Sequence, residues 1–332
     1  MRFKTTREIL KARARMENAV RAYFNGEGFV EVTTPAALMF PNLDPNIKPI
    51  RLSAKDLSGT SSDYWLHTSP ELSMKKLIAA GSGSIFQICP VFRDEEVTPV
   101  HSMEFSMLEW YRVETDYNTA IKDSVNVLLA AIRAVTGTSV ATRGGSEFDL
   151  EGPWEEITMN EAFKRFAGVD AFNREDMLDA LDERSKGEAL DASLEEIFFR
   201  LYVQSVEPEL GRYRPTVVKE FPSFLGTMAK PKDDDPELLE RFEIFIGSLE
   251  LANGFSELTD PIELERRMKK VSLALARDGL SGARVDREFL EASSRLGRCA
   301  GVSVGMDRLA MLAMGADTIS EVIFPFRVGE DR

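Results

Sequence analysis

The sequence predicts an α+β fold, an antiparallel β-sheet flanked by helices, and three observations carry that expectation. Apolar runs of strand character recur at Ile85 to Phe92, Glu104 to Tyr111, Phe242 to Ile246 and from Leu249 into Asn253-Gly254. Neighbouring runs are joined by hairpin-length connections where a parallel sheet would need helices. The chain also contains no G-x-x-x-x-G-K-[ST] phosphate loop and no strand-G-x-G-x-x-G-helix fingerprint, so the common parallel nucleotide-binding folds lack their signatures.

Each element has a local reason. Ile9, Leu10, Ala14, Met16, Val20 and Phe24 recur at mostly helical spacing, which predicts an amphipathic helix over Thr6 to Asn25, stopped by Gly26 and Gly28. An extended segment, Phe29 to Val32, follows and ends at Thr34-Pro35. One reading of this helix and strand is a dimerisation unit, the apolar strand finding a pairing partner only in a symmetry mate; the other is an ordinary surface helix and edge strand. Phe40 to Ser62 reads as loop or a weak hairpin. Tyr64 to Leu66 reads as a strand, and Thr68 or Ser69 is expected to cap a helix from Pro70 with Glu71 in its first turn. Asn118 to Val135 predicts a long amphipathic helix.

Between Thr138 and Glu240 the pattern is more varied: helices are expected at Met159 to Phe166 and Leu194 to Val206, and the run from Pro231 should be a solvated loop entering a helix. Pro261 to Asp278 reads as helical, and Gly301 to Val304 as a glycine-interrupted strand running into a helix near Met306 or Asp307.

Composition narrows the function. With 41 basic and 55 acidic residues among 332, the net charge is −14, which offers no broad surface for a nucleic-acid backbone; the clearest basic cluster is Lys4, Arg7, Lys11, Arg13 and Arg15. Two cysteines and two histidines exclude a disulfide framework of more than one bridge and argue against a zinc site built from several Cys and His ligands. Without a secretory signal or a membrane-length apolar run, a soluble cytoplasmic protein is expected, with no membrane partner.

Three constellations could carry chemistry. Arg93, with Asp94, Glu95 and Glu96, is followed after one loop by His101, Glu104 and Phe105. An arginine fork at a strand end suits a phosphate or carboxylate, and an aromatic returning on the next strand could stack a base. The alternative is a charged hairpin with Phe105 in the core. Glu243, Glu250, Asn253 and Glu257 form the second set, inward carboxylates of the kind that hold Mg²⁺, or else a solvated sheet face with Asn253-Gly254 as a turn. The third is Gly305 to Arg308, where an arginine in a helix's first turn opposes the helix dipole and could clamp a nucleobase; a packing glycine and a surface arginine are the alternative.

The segments FRDEE, HSMEFSMLEWY, LELANGFSELTD and GVSVGMDRLAMLAMG resemble the second and third signature motifs and intervening strands of class II lysyl-tRNA synthetases, and GFVEVTTP, Gly28 to Pro35, resembles their dimer-forming first motif. Only 27 residues precede that motif, too few for an OB-fold anticodon-binding domain. What remains is similar to the stand-alone members of this family that ligate β-lysine to a lysine of translation elongation factor P.

The resemblance implies one class II catalytic domain over 1–332, with a variable insertion at about 138–235. It implies ATP as substrate, Mg²⁺, a β-lysine or lysine substrate, elongation factor P as acceptor with tRNA unlikely, and a homodimer. By position it gives Arg93 the α-phosphate and the amino-acid carboxylate, Glu95, His101 and Ser102 other ATP contacts, Phe105 and Arg308 the adenine sandwich, and Glu243 and Glu250 the metal. Arg93 and Glu250 are thereby the catalytic pair. Ser69, Glu71, Asn253, Glu257, Ser303 and Gly305 fall to the amino-acid pocket, with Glu109 and Tyr111 receiving the side-chain ammonium. Ser102 and Met103 stand where the family has Asn-Pro. Ser303 stands where the synthetases have glycine and the β-lysine ligases alanine; a larger residue fits a pocket reshaped for a non-standard amino acid.

Overall fold

A computed structural model describes residues 5–95, 97–226 and 228–323; Lys4 and Glu96 lie outside the described residues. Helix α1 (Thr6–Gly26) opens on a capping box, Thr5 Oγ1 accepting from Glu8 N–H while the Glu8 side chain accepts from Thr5 N–H. It buries Ile9, Ala12, Met16, Val20 and Phe24 on one stripe. The chain continues through β1 (Val30–Glu31), β2 (Ala37–Leu38), β3 (Ile50–Lys55) and β4 (Ser61–Leu66) to α2 (Glu71–Ala79), then β5 (Ile85–Phe92), β6 (Glu104–Val113) and α3 (Tyr117–Thr136). A small hairpin, β7 (Val140–Arg143) and β8 (Ser146–Asp149), precedes β9 (Glu155–Thr158) and the helices α4 (Met159–Phe166), α5 (Arg174–Ala180), α6 (Glu183–Glu188) and α7 (Leu194–Leu201). The last part is β10 (Thr216–Pro222), β11 (Leu238–Ile246), β12 (Leu249–Ser256), α8 (Pro261–Arg277), α9 (Arg287–Ser293), β13 (Cys299–Gly305) and α10 (Met306–Met314).

The main sheet runs β1-β5-β6-β13-β12-β11-β10-β9, antiparallel except for the parallel pairs at its two ends, β1 with β5 and β9 with β10. Antiparallel pairing and flanking helices are therefore as the sequence predicts. Strand alternation sorts the two faces. Phe86, Leu108, Trp110, Phe242, Ile244, Val302 and Val304 point into a core shared with α1, α3 and α10, where Phe24 stacks on Phe86 with ring centroids 4.9 Å apart. The opposite face carries Met107, Glu109, Tyr111, Gly301, Ser303 and Asn253 toward a cavity. Helices α4, α5 and α7 build a second apolar cluster over β10 and β11, from Phe163, Phe198, Leu201, Val218 and Phe245.

Several expectations are corrected. The segment Phe29 to Val32 does not wait for a symmetry mate: Val30 and Glu31 pair in parallel with Ile85 and Phe86 of the same chain. Packing of Phe24 against Phe29 and Phe86 brings the chain alongside β5. Neither Thr68 nor Ser69 is the N-cap of α2; Pro70 is, and Ser69 Oγ accepts from Glu71 N–H one position earlier than a cap would sit. The run after Pro231 enters a strand, because Leu239 and Phe242 are wanted on opposite sides of a sheet paired along both edges. The helix from Leu194 ends at Leu201 and continues to Val206 as a π-turn. Strands β7 to β10 carry too little alternation to be read, β10 being apolar on both faces and closed by prolines. Among the described residues no helix is long and apolar enough to cross a membrane.

Candidate active site

The inner strands bring the candidate residues into rows. Glu109 of β6 lies opposite Ser303 of β13, Ser303 opposite Asn253 of β12, and Asn253 opposite Glu243 of β11, so one polar row crosses four strands. The next row is Tyr111, Gly301, Phe255 and Arg241. Apart from Glu243, the two rows floor a cavity of about 240 Å³ that is walled by Ser69 and Glu71 at the start of α2, by Arg93 after β5, and by the loop Asp44 to Ile47. Of the residues named from sequence, the cavity gathers Ser69, Glu71, Arg93, Glu109, Tyr111, Asn253 and Ser303.

A bulge joins Glu250 to this face. Ile244 pairs with Ala252 and Phe245 with Glu250, leaving Leu251 without a partner on β11. The extra residue shifts the alternation, so Glu250 shares a face with Asn253 although an odd number of positions separates them. Glu243 accepts from Arg241 (2.6 Å), Asn253 Nδ2 (3.4 Å) and the Tyr202 hydroxyl (3.3 Å). Burial and the neighbouring Glu250 carboxylate push its pKa up to about 7 against the pull of Arg241. Asn253 Oδ1 is buried without a hydrogen-bond partner. Two carboxylates and an orphaned amide oxygen are an all-oxygen donor set of the kind a hard divalent cation takes while keeping water and phosphate ligands; no group of three His, Cys, Asp or Glu forms a metal cage among the described residues.

Behind Glu71 lies a buried cation that the sequence alone did not single out. Lys75, 1% exposed, is ion-paired with Glu71 at 2.5 Å and with Glu257, its ammonium 5.2 Å from the Phe255 ring centroid and 5.8 Å from that of Tyr111. Burial works against its charge, but Glu257 and Glu71 hold its pKa above the ordinary lysine value. The Tyr111 hydroxyl donates to Glu109 at 2.7 Å. Burial, and then Glu71, raise Glu109 well above the usual carboxylate range. Gly301 makes room here: a Cβ on it would come within 2.7 Å of Glu257 Oε1.

Arg308, in the first turn of α10, donates to the Glu250 carbonyl at 2.8 Å and to His101 Nε2. The His101 Nδ1 then carries the proton and donates to Thr98 Oγ1 at 2.7 Å. Burial, Arg308 and Arg93 lower the His101 pKa to about 4, so the ring is neutral. The Arg93 guanidinium lies 5.1 Å from the Phe105 ring centroid. Glu95 is exposed and held by Lys48 at 2.6 Å. Ser102 and Phe105 line a second cavity of about 430 Å³ with Leu10, Arg13 and Asp307, and Gly305 lines neither cavity. Lys75 was legible as the residue four positions after Glu71, and Arg241 as the same-face neighbour of Glu243. Asp44 and Tyr202 had no local signal.

A model of the family tRNA synthetases class II (D, K and N) matches residues 1–327. The elongation factor P–(R)-β-lysine ligase homolog of Aquifex aeolicus (strain VF5) is 38% identical over 312 residues, 92% of this chain and 96% of that protein. The elongation factor P–(R)-β-lysine ligase of Histophilus somni (strain 2336) is 35% identical over 320 residues, covering 95% and 93%, and that of Avibacterium paragallinarum 35% over 324, covering 95% and 94%.

Proposed function

From a chain that belongs to the class II tRNA synthetases (D, K and N) and, within them, to the family of the elongation factor P–(R)-β-lysine ligases, we propose an ATP-dependent ligase that activates (R)-β-lysine and joins it to a lysine of elongation factor P. The observation that carries this reading is the cavity's charge: acids Asp44, Glu71 and Glu109 line it, Glu257 stands behind Lys75, and Arg93 stands at one side. Acids in a closed pocket ask for a ligand with ammonium groups, while Arg93 asks for a carboxylate or phosphate.

In this mechanism the amino-acid carboxylate attacks the α-phosphorus of ATP, pyrophosphate leaves, and the adenylate is aminolysed. Arg93 holds the carboxylate against the α-phosphate and stabilises the charge that builds there, so position and electrostatics supply the rate with no covalent enzyme intermediate. Arg308 and Phe105 take the adenine, His101, Ser102 and Glu95 contact ATP, and Glu71, Glu109, Tyr111, Asn253, Glu257, Ser303 and Gly305 fix the amino acid together with Ser69. Glu243 and Glu250, with Asn253 Oδ1 at hand, would hold Mg²⁺, which when bound neutralises phosphate charge. A homodimer is part of the proposal: β1 pairs on one edge only among the described residues, and Val30 and Leu10 are 56% and 52% exposed.

The test is amino-acid-dependent ATP–pyrophosphate exchange, followed by transfer of labelled β-lysine or lysine with elongation factor P and total tRNA offered in parallel. Arg93→Ala and Glu250→Ala should each lower exchange by about 100-fold or more. Undiminished exchange in both would sink the site, and label found on tRNA but not on RNase-treated protein would sink the acceptor. Sedimentation at micromolar concentration that shows only monomer would remove the dimer.

A further inference from the structure

We propose that the Asp44 carboxylate is the proton acceptor for the attacking lysine amine in the second half-reaction, a role that rests on the ligase reading above. The other acids that line the cavity are engaged, Glu71 with Lys75 and Glu109 with the Tyr111 hydroxyl, and Glu257 behind Lys75 is paired with it. Among the described residues the Asp44 carboxylate, alone of these acids, makes no side-chain hydrogen bond or ion pair, and Asp44 lines the cavity. It is also the most exposed of them. Glu71, Glu109 and Glu257 are 7%, 3% and 4% exposed, whereas Asp44 is half-buried on a loop whose Asn46 is exposed.

That loop is a fixed wall. Asn42 Nδ2 donates to Ser69 Oγ at 3.2 Å, the Lys48 carbonyl accepts from Asp94 N–H at 2.9 Å, and the Lys48 ammonium pairs with Glu95. Asn46 turns the chain between these ties with φ of +63°. Arg93 lines the same cavity as Asp44, acts on it electrostatically and is the group assigned to the reacting carboxyl, so the Asp44 carboxylate belongs to the same site as the reacting carbon.

The chemistry needs such a group. A lysine side chain has a pKa of about 10.4, and its ammonium form has no lone pair to attack with. In the step proposed, the ammonium gives one proton to Asp44, and the freed lone pair forms a C–N bond at the adenylate carbonyl. The C–O bond to phosphorus-bound oxygen then breaks, AMP leaves with that electron pair, and the amide nitrogen loses its second proton to solvent. The charged groups facing Asp44 are Glu71 and Lys75 of α2, Arg93 after β5 and Arg241 of β11. Burial and Glu71 raise its pKa, Arg93, Lys75 and Arg241 lower it, and the balance is about 7. Asp44 is therefore ionised above neutral pH and close to the working range of a general base.

The experiment separates the two half-reactions in Asp44→Asn and Asp44→Glu. Single-turnover transfer from preformed adenylate to elongation factor P at pH 7 should fall about 100-fold in Asp44→Asn, the scale of a lost general base, while exchange falls far less. The wild-type transfer rate should lose activity below an apparent pKa near 7, and that limb should vanish in Asp44→Asn, whose rate climbs with free amine. Asp44→Glu keeps the carboxylate and should restore at least about a tenth of the rate. Exchange and transfer falling together, with a raised KM for the amino acid, would make Asp44 an ammonium holder and overturn the proposal, as would transfer left intact. Absence of exchange in the wild type would instead overturn the ligase reading itself.

Discussion

Replacing Lys75 by methionine keeps the volume of the side chain and removes its charge. The ammonium is 1% exposed and ion-paired with both Glu71 and Glu257, themselves 7% and 4% exposed, so the substitution strands two carboxylates in a closed pocket. Removing one partner of a buried ion pair costs about 3–5 kcal/mol. At about 2 °C per kcal/mol for a large domain, the melting temperature should fall by about 6–10 °C. The pH dependence makes the reasoning specific. Lys75 has a folded pKa above its unfolded value, so its contribution to wild-type stability is complete below the unfolded value and is constant between pH 5 and 8. Burial raises Glu257 to about 8 even with Lys75 present, so in the variant the stranded Glu257 has a folded pKa above its unfolded one. Stability is then retained at low pH, where Glu257 is protonated, and lost as pH rises toward 8. Scanning calorimetry at pH 5, 6.5 and 8 should show a deficit that widens with pH and narrows when lysine is added. A deficit below about 2 °C at pH 8, or one that grows toward pH 5, would refute the reasoning.

Gly301→Ala places a Cβ within 2.7 Å of Glu257 Oε1 and against the Tyr111 ring, and the strand backbone cannot yield; the KM for the amino acid should rise about tenfold or more with the KM for ATP little changed, as steady-state exchange would report. His101 accepts from Arg308 and has its pKa lowered to about 4 by burial, Arg308 and Arg93, so its ring resonances should not titrate between pH 8 and 5.5. The same depression makes its neutral form a source of stability above the unfolded pKa of about 6.5 that is lost as pH falls toward 4; His101→Asn should remove that acid sensitivity, read by melting from pH 7 to 4.5.

What the sequence made legible follows from range. Local periodicity located β5 to the residue, α4 to the residue and α3 to within one, because each is set by its own spacing of apolar side chains. The start of β11 was read as a helix because PELLE has helical composition, and only the pairing of Leu238–Ile246 with strands on both sides decides otherwise. Strand β10 is apolar on both faces because helices α4 and α7 cover the side that an alternating pattern would have left polar.

The site divides along the same line, and the division explains which residues were missed. Glu109, Ser303, Asn253 and Glu243 are placed by cross-strand register, and strands recognised one by one align them once the sheet is assembled. Glu250 is different. Its number has the wrong parity to share a face with Asn253, and only the unpaired Leu251 turns it inward, a bulge that no residue pattern announces. Asp44 and Tyr202 reach the site from a loop and a π-turn, where neither period applies. The polar floor is thus a property of paired strands, while the groups that close over it come from irregular backbone. Variation in that irregular backbone therefore changes which groups close over the cavity beside Arg93 without disturbing the register beneath it.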